Sequence, residues 1–515
     1  MAITPSPNSA ARDQPPVGGF GYHQELRRVL RKFALFAVAF SIVSITTGIF
    51  LNYGFGLAHL GPASIWLWPL AAVGQVLVAL VLAELATHIP LAGANYQWGA
   101  RLVGSRYGYL VGGLGILYGA VGLPGIMLLG AAPLTAEIFG WNTGNERLLL
   151  FIAVVLLVIA YLVNIVSVQM AARVNNIAVF TEIIGVVAFS VVVFFLWVAG
   201  AKPSGHGIGF LANDHGMFHQ PLWYAAILAA LIGVYTLVGF EAAADMAEEA
   251  VDARRTVPRA MIIAVVVSSV LGMVALIGFT VAIPDLAAAQ RSPVPLADIA
   301  SYWLGPVVTK IFLVVVVFSM FALTVVAAAA NSRLIFAMAR DRVLPLSSLL
   351  RRVNARTKTP LPALIASLLV CLALMGYGYA DGNAFGTLVG ATALVPYLVY
   401  LLTVVAYAVR RRSLASEPAA FTLGRWRVPV FVGALVWLVA VVLALTLPPD
   451  FRGADYVVLG GLALIAVWYV AGLHWRLRRG SAGVQAGPNA GTGAASVAGA
   501  PPDVRAVVDG TGGGV

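Results

Sequence analysis

Long apolar runs alternate along the chain with short polar stretches. Runs of about 20 apolar residues, the length a helix needs to cross a bilayer, recur from Phe33 to Tyr469. Twelve spans are read, over residues 33–57, 64–88, 106–138, 147–168, 174–199, 222–247, 259–283, 306–338, 361–380, 384–409, 428–447 and 454–475. The pattern predicts an all-α polytopic membrane protein. The sixth span has an informative interruption: it reaches Gly239, meets Glu241 while still in hydrophobic sequence, and then dissolves into Asp245, Glu248, Glu249, Asp252, Arg254 and Arg255. An ionisable group at that depth costs at least ~2.5 kcal/mol, so it points to function and to a partner or a water-filled cavity.

Composition agrees with the spans. Of 515 residues, 60% are apolar and 10% charged, where a soluble domain carries about 25% charged residues. The net charge of +11 could suggest nucleic acid, but 27 of the 32 Lys and Arg residues fall on the same side of the membrane as the N-terminus. Only Arg147, Lys202, Arg291, Lys310 and Arg452 fall on the other side. That asymmetry predicts a multi-pass cell-membrane protein with both termini cytoplasmic, and it accounts for the basic pI without a nucleic-acid partner. The single Cys371 rules out an intrachain disulfide. Residues 1–32 show no signal-peptide pattern and are expected to form a loose cytoplasmic tail; residues 476–515, rich in Gly, Ala and Ser, are expected to be disordered.

Several chemistries find no support. The chain has no GxxxxGK[ST] loop, so ATP bound within it is not the energy source. No nucleophile, base and orienting group share the spans, so an enzyme is not expected, and no cofactor is implied. His215 and His219 have zinc-compatible spacing in the loop with His206, but no helix is indicated there and no Cys assists, so no metal site is expected.

Polar residues inside the spans supply the candidate chemistry. The first span carries Ser41, Ser44, Thr46, Thr47 and Gly48 at its centre. These either bond back to the helix and allow close packing, or mark an unwound segment near Thr46–Gly48. Five spans later the sequence is interrupted at Val238 and Gly239. Two interrupted spans at corresponding positions point to a transporter site near the bilayer midplane. Five spans per unit is an odd number, so the second unit must be inverted. The expected organisation is a five-helix repeat over 33–199, an extracellular loop over 200–221, a second repeat over 222–409, a cytoplasmic loop over 410–427 and two further helices within 428–475.

Several other positions stand out. Glu84, near the end of the second span, is expected in a gate or packing ion pair with a loop cation. Tyr118, in the glycine-rich third span, is either a packing residue or a site-lining hydroxyl. Glu182 has no local partner, so it either pairs across helices or takes up a proton. Ala327–Ala330 suit close packing or a carbonyl-built cation site with Thr324 nearby, and Arg340 and Asp341 read as a gate or cytoplasmic anchor.

Three stretches, running from FSIVSITTGIFLNYGFGL through ATHIPLAGANYQWGARL, then YTLVGFEAAADMAEEAVDARRTVPRAM, then NSRLIFAMARDRVLPLS with TPLPA, resemble the amino acid, polyamine and organocation transporter superfamily, in particular its amino acid/choline permease family. The resemblance runs from Phe40 to about Pro448. It implies a leucine-transporter-like fold of two inverted five-helix repeats with broken first and sixth helices. It places Thr46, Thr47 and Gly48 where backbone N–H groups meet a substrate carboxylate, and Val238, Gly239 and Phe240 where carbonyls accept an ammonium. Tyr235 matches a substrate-capping aromatic. Glu241 looks like the acid of proton-sensitive antiporters, and Glu182 falls about where some proton-coupled relatives carry a lysine. Thr-Thr-Gly replaces the usual paired glycines of the first helix, which would alter the carboxylate pocket.

The expected function is secondary active transport of a small zwitterionic amino acid by alternating access, with a proton as coupling ion carried by Glu182 or Glu241. The alternatives are a sodium-coupled or exchange carrier of choline, polyamine or γ-aminobutyrate, and, in another class, a membrane receptor that binds without transport.

Overall fold

A computed structural model describes residues 20, 22, 25–26, 28–203, 206–212, 221–380, 385–417 and 419–484. The expectations for the two tails concern mostly residues outside these, as does the spacing of His215 and His219. Within the unit Glu25–Val484, the described residues are helical and contain no strand; one isolated parallel bridge joins Leu30 to Ala250.

The helices follow the apolar pattern. Lys32–Val43 (α1) and Ile45–Leu60 (α2) form the first span, and Leu67–His88 (α3) the second. Ala94–Leu102 (α4) is a short buried helix. Ser105–Gly125 (α5) continues through a widened turn over Ile126–Ala131 into Ala132–Phe139 (α6), directly after the interior Pro124, which cannot donate to the ladder. Glu146–Val166 (α7) and Val168–Val198 (α8) follow, and then Leu222–Ala229 (α9), Leu231–Thr236 (α10) and Ala242–Asp245 (α11) divide the sixth span. The remainder are Ala253–Val281 (α12), Leu286–Arg291 (α13), Pro295–Leu304 (α14), Pro306–Arg340 (α15), Ser347–Leu350 (α16), Leu361–Ala380 (α17), Gly390–Ser416 (α18), Arg427–Thr446 (α19), Arg452–Trp468 (α20) and His474–Arg478 (α21).

Among the described residues, ten helical stretches are long and apolar enough to cross a membrane, and the shorter apolar stretch Leu222–Thr236 joins them. Their burial is uneven. In an 18-residue apolar window of Lys32–His88 and of Thr387–Ala415, 72% and 78% of the residues are buried within the protein, whereas in that of Pro449–Arg478 only 11% are. The exposed faces are apolar: α7 presents Phe151, Ile159 and Leu162, and α20 presents Tyr456, Leu459 and Leu464. Water would expel such surfaces, but lipid tails solvate them, so the protein is a multi-pass membrane protein. Inside that coat, α12 packs on α3 and α1, α15 on α8, α5 on α18, and α19 on both α18 and α3.

Candidate functional site

The first helix breaks at Ser44, not at Thr46–Gly48. Ser44 takes the left-handed conformation (φ 30°, ψ 89°), and Thr46–Gly48 form the first turn of the resumed helix α2. Serine tolerates this strained conformation because its side chain replaces lost backbone partners. The Ser44 Oγ accepts the Thr47 N–H at 3.2 Å, lies 2.7 Å from Thr47 Oγ1 and donates to Glu182 Oε1 at 3.2 Å. Glu182, from the facing helix α8, also accepts the Thr46 N–H at 3.0 Å. Its missing local partner is therefore the positive end of α2. The Gly48 N–H bonds to the Ser44 carbonyl at 3.0 Å. The three N–H groups that the resemblance offers to a substrate carboxylate thus all have partners within the protein.

The second break spans residues 237–241, between α10 and α11. Gly239 has φ +87°, a conformation costly for side chains other than glycine's. A Cβ there would also strike Ile42 and come within 3.2 Å of Tyr118 Oη. Two tyrosines of α18 stabilise this break. The Gly239 N–H donates to Tyr400 Oη at 2.8 Å, and that hydroxyl donates in turn to Glu241 Oε2. Tyr397 Oη donates to the Val234 carbonyl at 3.1 Å and accepts from Gln75 of α3. Neither tyrosine nor Gln75 was a sequence candidate; the signal for the tyrosines was a pair of phenols three residues apart in an otherwise apolar span.

Between the breaks lies a cavity of about 90 Å³. At ~10–15 Å³ per water-sized group, that is room for roughly six to nine such groups. Of the expected site residues, Thr47, Gly48, Tyr118, Tyr235, Val238, Gly239 and Glu241 line it. Thr46 and Phe240 do not. Thr46 is turned to Glu182, and Phe240 is buried against Tyr400 with ring centroids 5.4 Å apart. The lining adds Asp245, four residues beyond Glu241 on the same short helical stretch, and contains no Lys, Arg or His. Its two carboxyls make the cavity a place for positive charge. Among the described residues, the Val238 carbonyl accepts no hydrogen bond, which leaves it available at the same wall. Ala327 and Ala330 line the cavity from α15, while Thr324 is spent on its own helix, donating to the Met320 carbonyl at 2.9 Å.

The remaining candidates lie elsewhere. Glu84, fully buried, receives Arg427 Nη2 at 2.7 Å, Tyr407 Oη at 2.5 Å and the Leu423 N–H at 3.1 Å, which ties α3 to α18 and to the start of α19. Arg340 makes a two-pronged pair with Glu248 at 2.9 and 3.0 Å, and the Ala92 N–H donates to the same carboxylate at 3.1 Å. Asp341 accepts from Tyr96 Oη at 2.7 Å and Gln97 Nε2 at 3.0 Å, both on α4. Beside them Arg333 and Glu249 form a buried pair at 2.8 Å. Arg340 and Asp341 thus hold the segment after α11 and helix α4 against the end of α15. Among the described residues no group of three or more His, Cys, Asp or Glu side chains is placed to hold a metal ion.

The amino acid permease family model matches residues 30–473, nearly all of the helical unit. The chain is 26% identical to the amino-acid permease BAT1 of Arabidopsis thaliana over 88% of its own length and 94% of that protein's. It is 25% identical to the GABA-specific permease of Saccharomyces cerevisiae, covering 91% of this chain and 84% of the relative. The thiamine transporter thi9 of Schizosaccharomyces pombe is 26% identical over 87% of this chain and 83% of its own. With the match spanning both helix breaks and the cavity between them, the chain belongs to the amino acid permease family of the amino acid, polyamine and organocation superfamily, and is a membrane transporter of small molecules.

Proposed function

We propose that the protein is a secondary active permease that moves a small zwitterionic amino acid across the cell membrane by alternating access, with a proton as the coupling ion. The observation that carries this reading is the charge of the cavity: Glu241 and Asp245 line it, and no basic side chain does. A substrate ammonium fits beside those carboxyls and the Val238 carbonyl. The coupling acid in this reading is Glu182. It lies behind the cavity wall, bonded to the break at Ser44 and Thr46, where protonation would weaken its hold on the N-terminus of α2. Twelve crossings in two inverted five-helix repeats plus a final pair, with both termini cytoplasmic, fit this reading. The 57-residue stretch Lys32–His88 is long enough for two crossings, and Leu222–Thr236 with the segment after it supplies one more.

One observation favours a second reading, a carrier of organic cations or amines that lack a carboxylate. The N–H groups of Thr46, Thr47 and Gly48 are already bonded within the protein, and the relatives include proteins named as a thiamine transporter and a putative polyamine transporter.

The test is uptake by the purified chain in proteoliposomes under an inward proton gradient. Accumulation of amino acids that collapses with a protonophore supports the proposal; no uptake above empty liposomes refutes transport of them.

A further inference from the structure

Among the described residues, two polar side-chain atoms of the cavity lining are buried and have no hydrogen-bond partner: Tyr235 Oη and Asn331 Oδ1. Tyr235 already figures in the site. Asn331, on α15 at the start of the NSRLIFAMARDRVLP stretch, has no role in it so far.

The amide nitrogen of Asn331 joins hydrogen-bonding groups on two other helices. Its Nδ2 donates to Ser367 Oγ on α17 at 3.0 Å, and that hydroxyl lies 2.7 Å from Tyr161 Oη on α7. A network across three helices engages the nitrogen, while the carbonyl oxygen, buried beside the cavity, has no partner among the described residues. Room for the amide comes from Gly119 on α5, where a Cβ would lie 2.6 Å from Asn331 Cγ and 2.7 Å from Nδ2. Asn331 is 6% exposed. Burying an amide oxygen without a partner is costly, and the cost is relieved when a ligand donates to it.

We infer that Asn331 is a specificity-determining residue: its Oδ1 accepts a hydrogen bond from a second donor on the substrate, distinct from the ammonium held near Glu241. The inference rests on the permease reading and narrows it. The favoured solutes carry a hydroxyl, amide or amine away from the first ammonium, and their apolar isosteres leave Oδ1 unpaired and bind more weakly. Ser367 and Gly119 are positioning residues for that oxygen.

The test compares pairs that differ in one distal donor: L-threonine with L-valine, L-glutamine with L-methionine, and L-lysine with L-norleucine. Affinity is read from thermal stabilisation of the purified full-length chain and from counterflow in proteoliposomes. In the wild type the donor-bearing member of at least one pair is expected to bind at least about tenfold more tightly, about 1.4 kcal/mol. Asn331→Leu should erase that preference, and Asn331→Asp should keep it. Ser367→Ala, which frees the amide to turn, should reduce it several-fold and serves if Asn331→Leu does not fold. A wild type that prefers the donor-bearing member in none of the pairs, or a preference unchanged in both Asn331→Leu and Ser367→Ala, overturns the inference while the permease reading stands. A wild type that neither binds nor moves any of the six overturns both.

Discussion

The Glu182 carboxylate accepts the backbone N–H of Thr46 at 3.0 Å, across 136 residues of sequence. A side chain of α8 thereby caps the start of α2, where the helix resumes after the left-handed turn at Ser44. The N-terminus of a helix favours negative charge, so the bond couples the charge of one residue to the geometry of the break.

Replacing Glu182 by Gln keeps an acceptor for Thr46 but removes the charge. The folded protein should survive with little change in melting temperature, while the pH dependence of uptake flattens. Glu182→Leu leaves the Thr46 N–H without its partner and should destabilise by about 1–3 kcal/mol. Melting of the solubilised variants and uptake as a function of external pH check both outcomes.

At the other break the Tyr400 hydroxyl joins the Gly239 N–H to Glu241. Tyr400→Phe removes one oxygen and leaves two buried polar groups unpaired, with an expected loss of about 1–3 kcal/mol. Because the break itself is loosened, the maximal rate of uptake should fall at least about tenfold. Tyr397→Phe, which frees only the Val234 carbonyl and Gln75, should cost less activity.

How far the sequence reached depends on whether a signal is local. The spans follow from runs of apolar residues, and the second break from Gly239 beside Glu241, features of neighbouring residues. Of the two readings of the first span, the unwound one lies at Thr46–Gly48, two residues beyond the break at Ser44, because the Thr-Thr-Gly triplet looks weaker than the serine before it. The Ser44 side chain at the break bonds an acid 138 residues away, and no local pattern reveals that contact. Tyr400, Asp245 and Asn331 escaped for the same reason: each acquires its place only when α18, α11 and α15 meet around one cavity. Glu84 was read as half of an ion pair, but its partner Arg427 lies 343 residues on.

Gly48 packs so closely on Thr236 that any Cβ would overlap that side chain. Gly48→Ala forces α2 and α10, the halves flanking the cavity, apart. Overpacking of this kind costs typically 1–3 kcal/mol. The expected phenotype is a folded, less stable protein with impaired uptake, whereas Gly104→Ala, with nothing within 4 Å of the added Cβ but a positive φ of 146°, should affect stability alone.

The Glu84–Arg427 pair serves the packing of α3, α18 and α19, away from the cavity. Arg427→Ala leaves the buried Glu84 carboxylate with Tyr407 and the Leu423 N–H, and should lower the melting temperature markedly, since breaking a buried pair costs about 3–5 kcal/mol and Arg427 is only partly exposed. The double change Glu84→Leu with Arg427→Met should recover much of that loss. The substrate affinity of whatever folded protein remains should stay within about twofold of wild type in both cases.

The most direct test is counterflow into proteoliposomes preloaded with amino acids, γ-aminobutyrate, choline or putrescine, repeated with Glu241→Gln. The account expects zwitterionic amino acids to exchange in the wild type, and the variant to bind them at least about tenfold more weakly because the cavity has lost one of its two carboxyls. Exchange of amino acids with affinity unchanged in Glu241→Gln would contradict it, since the ammonium would then lie elsewhere.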